Sequence, residues 1–109
     1  MIKVYIASPY TIGDQAENVK RQMNTADELI RLGFCPFVPL LYHFQHMFNP
    51  QPYDTWLDID MEWLCQCNAV LRLDGESKGA DIEVERAKKL HIPVFTDIVE
   101  LYRYYQEAL

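Results

Sequence analysis

The chain has 109 residues, 50% of them hydrophobic and 24% charged, with a formal net charge of −6. That length supports one domain with a single core, spanning residues 1–109, and the composition excludes a disordered chain. The negative balance argues against a nucleic-acid partner, which calls for a basic face, so a small anionic ligand must be held largely by backbone N–H groups and hydroxyls.

No apolar run is long enough for a bilayer, and the opening MIKVYIAS lacks the h-region of a signal peptide. Three cysteines without a framework spacing fit a reducing compartment. The expectation is a cytoplasmic protein with no membrane partner.

Ile2 to Ala7, IKVYIA, is a short β-branched run that predicts a buried parallel strand. It ends in Ser8-Pro9-Tyr10-Thr11 and Gly13-Asp14, a loop dense in turn residues and hydroxyls. From Gln15 to Leu32 the pattern is helical, with Val19, Met23, Ala26 and Ile30 on one stripe and Gly33 at the C′ position. Phe34 to Val38 predicts a second strand. Pro36 within it cannot donate to a ladder, so this strand belongs at an edge.

Pro39 to Pro52 reads as a long aromatic connection with one short helical turn, a length often found in functional lids. A helix from Tyr53 or Asp54 to Cys67 follows. Leu57, Met61 and Leu64 form one stripe on it, and Trp56, Asp60, Trp63 and Cys67 a neighbouring one, which sets Asp60 among aromatics. Ala69 to Leu73 predicts the third strand.

The stretch Leu73 to Ala87, LDGESKGADIEVERA, then passes through a turn into a helix from Lys78 to Leu90, with Ser77 as N-cap. A strand that ends in a small-residue turn and feeds a helix N-terminus is an anion site in waiting, because free N–H groups and the positive end of the dipole point out of the turn. On this helix Glu85 has Lys88 and Lys89 within reach and reads as a solvated acid. Glu83 has Ala80, Ala87 and Leu90 around it, with Arg86 as its one nearby cation. A fourth strand, Ile92 to Phe95, contains Pro93 and also belongs at an edge. Asp97 caps a last amphipathic helix, Ile98 to Ala108.

Alternating strands and helices predict an α/β protein, a flavodoxin- or Rossmann-like three-layer sandwich on a four- to five-stranded parallel sheet. With the proline strands outside, the order is 2-1-3-4. Ligands in such sheets bind at the switch point, off the carboxyl ends of the strands. Here that point lies between the loops Ser8 to Gly13 and Asp74 to Gly79, with Tyr5 at its border.

Each candidate has a plainer reading. A lone strand tyrosine such as Tyr5 is usually core, Asp60 is equally well a helix-packing acid, and Glu83 is a half-exposed acid paired with Arg86. His43 with His46, and Cys65 with Cys67, lack the ligand set of a zinc site, so no metal is expected. The signatures of phosphoryl transfer, dinucleotide redox chemistry and serine hydrolysis are missing.

The combination YIASPYT, an acid before the third strand (Asp60), and S-x-G-x-x-x-E (Ser77, Gly79, Glu83) followed by Ala87 resembles the nucleoside 2-deoxyribosyltransferase superfamily. That group includes the transferases, the 2′-deoxynucleoside 5′-monophosphate N-glycosidases and small uncharacterised relatives, the last being most similar in length and in the IASPY and DG-x-S-x-G-A patterns. The resemblance implies that Glu83, held charged, is the nucleophile at the anomeric carbon, that Asp60 assists at the base or sugar, and that Tyr5 orients the nucleophile or substrate. Ser77 and Gly79 would hold the 5′ side of the sugar. Ser8, Tyr10, Thr11, Asp74 and Ala80 complete the expected substrate-binding set, with no cofactor.

The transferases resemble one another in an aspartate at the position of Ser77. Serine removes a charge that repels phosphate, which favours a nucleoside 5′-monophosphate over a nucleoside. The alternatives are base exchange between nucleosides and a non-catalytic nucleotide-binding module. Phe44, Met47, Phe48, Trp56 and Trp63 are more apolar surface than a small monomer hides, so a homodimer is expected.

Overall fold

The computed structural model describes residues 1–107. Four parallel strands form one sheet: β1 (Lys3–Ala7), β2 (Cys35–Phe37), β3 (Ala69–Arg72) and β4 (Val94–Phe95), in the order β2-β1-β3-β4. Both proline-bearing segments are at the edges, as missing N–H donors require. Pro36 lies in β2, and Pro93 immediately precedes β4, where its carbonyl accepts from Val70.

The helices are α1 (Gln15–Arg31), α2 (Tyr42–Phe48), α3 (Tyr53–Leu64), α4 (Lys78–Lys89) and α5 (Ile98–Glu107). Alternation along β1 and β3 divides the core between two faces. Val4, Ile6, Ala69 and Leu71 pack with Ala26 and Leu29 of α1 and Leu101 of α5. On the opposite face, Tyr5, Ala7 and Val70 pack with Leu64, Cys67, Ala80 and Ala87, under α3 and α4. The result is a three-layer α/β sandwich. No helix among the described residues is long and apolar enough to cross a membrane.

Local signals set the ends of the elements. Gly33 has φ 89° and Phe34 N–H closes back on Leu29, so α1 ends in a left-handed cap. Ser77 Oγ accepts from Ala80 N–H at 3.1 Å, and Asp97 Oδ1 accepts from Val99 N–H at 2.9 Å. The expected last residue of α5, Ala108, lies outside the described residues.

Two readings of pattern need correction. The buried face of α1 is Val19, Gln22, Ala26 and Leu29, while Met23 and Ile30 are exposed. The apolar stripe through Met23 and Ile30 drew the helix about one position off its true inward face. Pro39 to Pro52 also holds more order than a single turn: a 3-10 turn at Pro39–Leu41 runs directly into α2.

Candidate active site

The site forms where β1 and β3 end and the chain leaves in opposite directions. Ala80 and Ala87 are almost fully buried, so α4 lies close on the sheet, and Glu83, on the same face between them, points inward. Its carboxylate receives a hydrogen bond from the Tyr5 hydroxyl, which rises from the middle of β1. Tyr5 is fully buried and its ring stacks on Phe37 at 5.6 Å. It therefore sits beneath Glu83, away from the cavity surface, and holds the acid in place.

Above Glu83 opens a cavity of about 610 Å³, within the size range of small-ligand sites. Asp60 of α3 lines it beside Glu83, as do Ser8, Tyr10, Thr11, Ser77, Gly79 and Ala80. Asp74 does not reach it. Its side chain is 98% exposed and pairs with Arg21, whose guanidinium also donates to the Asp74 carbonyl at 2.8 Å. In this structure Asp74, expected as a substrate contact, braces the turn. The two loops flanking the site touch at Gly75, where φ is 116° and a Cβ would lie 2.8 Å from Pro9 Cγ.

The electrostatics revise the expectation of a charged Glu83. Burial pushes its carboxyl up to about 8, and the nearby Asp60 charge adds to this, while the Tyr5 hydrogen bond and the Arg72 guanidinium pull the other way. Burial likewise raises Asp60 to about 7. The Tyr5 hydroxyl is raised well above its usual range, first by burial and then by the Glu83 and Asp60 charges, so it remains a donor. Around neutral pH Glu83 is therefore mostly protonated and Asp60 about half so. A buried and a half-buried carboxyl that both titrate near neutrality in one cavity are an arrangement that acid–base chemistry uses.

Arg86, the cation expected beside Glu83, is not among the groups that shift it; Arg72 is. Arg72 ends β3, pairs with Asp81 at 3.0 Å and donates to the carbonyls of Leu73 and Gly75, fastening the turn before α4. Its place at the head of the DGESKG turn was the available signal.

Gln22 lies off the apolar stripe, so the pattern of α1 does not announce it. Fully buried, it donates to Ile6 O at 3.1 Å and Ser8 Oγ at 2.8 Å, and accepts from Leu40 N–H at 2.9 Å. It joins β1, α1 and the 3-10 turn at the cavity floor. Tyr53, His43, His46 and Trp56 also line the cavity. Among the described residues no cluster of three or more His, Cys, Asp or Glu could hold a metal ion.

A three-layer α/β domain with a buried and a half-buried acid side by side at its switch point defines the class of protein. The chain belongs to the family described as a domain of unknown function (DUF7768), whose profile matches residues 2–97. No curated protein matches it. Among solved structures, it is similar to a 2-deoxyribosyltransferase from the psychrotolerant bacterium Bacillus psychrosaccharolyticus, with a TM-score of 0.61 and 20% identity. The match covers 84% of this chain and 69% of that one. The two share a fold.

Proposed function

We propose that the protein cleaves the N-glycosidic bond of a nucleoside or deoxynucleoside 5′-monophosphate. The observation that carries this reading is the Tyr5–Glu83 hydrogen bond, set beside Asp60 under one cavity. In the minority form in which Glu83 is ionised and Asp60 keeps its proton, Glu83 attacks C1′ of the sugar as the C1′–N bond breaks. The bonding electrons leave with the base, which takes the proton of the Asp60 carboxyl. Water then attacks C1′ of the glycosyl ester, gives its proton to the Asp60 carboxylate, and releases the sugar phosphate and Glu83. Tyr5 holds one carboxylate oxygen by donation, so the other is left to react.

The preference for a 5′-phosphate follows from the start of α4. Ser77 Oγ uses a lone pair on Ala80 N–H, which leaves its O–H to donate. Lys78 lines the same end of the cavity, and the helix dipole is positive there. A carboxylate at position 77 would oppose a phosphate; a serine does not.

Base exchange is the second reading, favoured by the 2-deoxyribosyltransferase fold neighbour. In it a second base, in place of water, attacks the same ester. The test is a panel of ribo- and deoxyribonucleoside monophosphates incubated with and without an added acceptor base. Free base without acceptor, abolished by Glu83→Gln, supports hydrolysis. Turnover only with an acceptor supports exchange, and binding without turnover leaves a nucleotide-binding module.

The proposed assembly is a homodimer, supported by Phe44, Met47 and Phe48 of α2, which are 50%, 60% and 82% exposed. Sedimentation of a pure monomer would exclude it.

A further inference from the structure

His46 has its proton position fixed by its neighbours. Trp56 Nε1 lies 2.8 Å from His46 Nδ1, and the backbone nitrogen of Gln51 lies 3.2 Å from the same atom. An indole N–H and a peptide N–H can only donate. His46 Nδ1 therefore accepts from both, and the proton of the neutral ring is on Nε2. No protein acceptor among the described residues takes that proton, and His46 lines the same cavity as Glu83 and Asp60.

The ring is held in an aromatic cluster. His46 meets Trp56 edge-on, with centroids 5.8 Å apart, and Trp56 leans on Tyr42 at 5.3 Å. His43, one turn earlier on α2, shows the contrast. Its Nδ1 pairs with the Tyr10 hydroxyl, which can donate or accept, so its tautomer is open.

We infer that His46 is a specificity-determining residue whose Nε2–H donates to an acceptor atom on the departing base. The inference deepens the glycosidase reading and rests on it. With the phosphate at Ser77 and the sugar at Glu83, the aromatic wall of Tyr42, Trp56 and His46 is left for the base. A nucleobase has apolar faces that suit Trp56 and in-plane ring nitrogens or carbonyl oxygens that suit a fixed N–H. A base presenting only N–H at that edge would set donor against donor and be rejected.

The test has two arms. Long-range 15N NMR of the intact protein should find His46 protonated at Nε2. Base release from dAMP, dGMP, dCMP and dTMP is then compared for the wild type, His46→Phe and His46→Gln. His46→Phe should lower kcat/KM for the preferred base by roughly 10- to 100-fold and compress the spread among the four. Glutamine, which carries both an acceptor and a donor, should recover part of the loss. Calorimetric binding of 2-deoxyribose 5-phosphate, which has no base, serves as the check on folding.

If the wild type releases no base from these four or from the corresponding ribonucleoside monophosphates, the glycosidase reading fails and this inference with it. Suppose instead that the wild type is active and His46→Phe keeps its rate and base ranking, or that the proton is found on Nδ1. The glycosidase reading then stands and the assignment of His46 is overturned. A loss that is equal for all bases, unrescued by glutamine and shared by sugar-phosphate binding would also overturn it, as the mark of a structural role.

Discussion

Replacing Glu83 by glutamine should abolish activity and yet stabilise the protein, and the gain should depend on pH. Glu83 is 7% exposed, and its carboxyl is raised from the ordinary 4.5 to about 8. The folded chain therefore binds the Glu83 proton more tightly than the unfolded chain does. Stability from this group is complete below pH 4.5 and is lost as the pH rises through about 8. A difference of about 3.5 units at 1.36 kcal/mol per unit sets a ceiling of ~5 kcal/mol.

At pH 8 the group is only half ionised, and water entering the cavity solvates part of its charge, so ~2–4 kcal/mol is expected there. Glutamine keeps an oxygen for the Tyr5 hydroxyl and never ionises. Thermal melts at pH 5 and pH 8 read this directly. Near pH 5 the variant should melt close to the wild type, and at pH 8 it should melt roughly 10 °C or more higher. Parallel pH dependence in the two proteins would refute a buried Glu83 carboxyl.

Tyr5→Phe keeps the stacked ring but removes the donor that favours the Glu83 anion, so kcat/KM at pH 7 should fall roughly tenfold and, Glu83 being the higher of the two titrations, the alkaline limb of the profile should move to higher pH. The wild-type profile itself should be bell-shaped, peaking between about 7 and 8, with the productive form, Glu83 ionised and Asp60 protonated, a minority of the singly protonated site; Asp60→Asn should remove the alkaline limb. Ser77→Asp keeps an N-cap side chain but sets a negative charge near the phosphate. It should cost nucleoside monophosphates ~100-fold in kcat/KM and leave unphosphorylated nucleosides little affected, as parallel kinetics would show. Gly75→Ala puts a Cβ into Pro9 at a left-handed φ and should lose ~2–3 kcal/mol in urea titration.

What was legible in the sequence is what depends on neighbours along the chain. Pro36 and Pro93 placed the edge strands because a missing N–H has one consequence anywhere in a sheet. Gly33, Ser77 and Asp97 marked helix ends by chemistry complete within a few residues.

The rest required contacts between distant segments. Helix α2 has exposed Phe44, Met47 and Phe48 and no buried residue, so no inward apolar stripe betrays it. Gln22 is polar and buried because Ile6, Ser8 and Leu40 satisfy its amide, three partners that no periodicity in α1 announces. The position of Glu83 could be read from its alanine neighbours, whereas its protonation could not. That depends on how completely α3, α4 and β1 close around it.

The central claim is that Glu83 forms a bond to the sugar. Its most direct measurement is acid quenching during turnover of a deoxynucleoside monophosphate, followed by mass mapping of the peptides. The account predicts a deoxyribosyl phosphate ester on the peptide containing Glu83, absent in Glu83→Gln. Base release by Glu83→Gln at the wild-type rate, with no adduct in either protein, would contradict it.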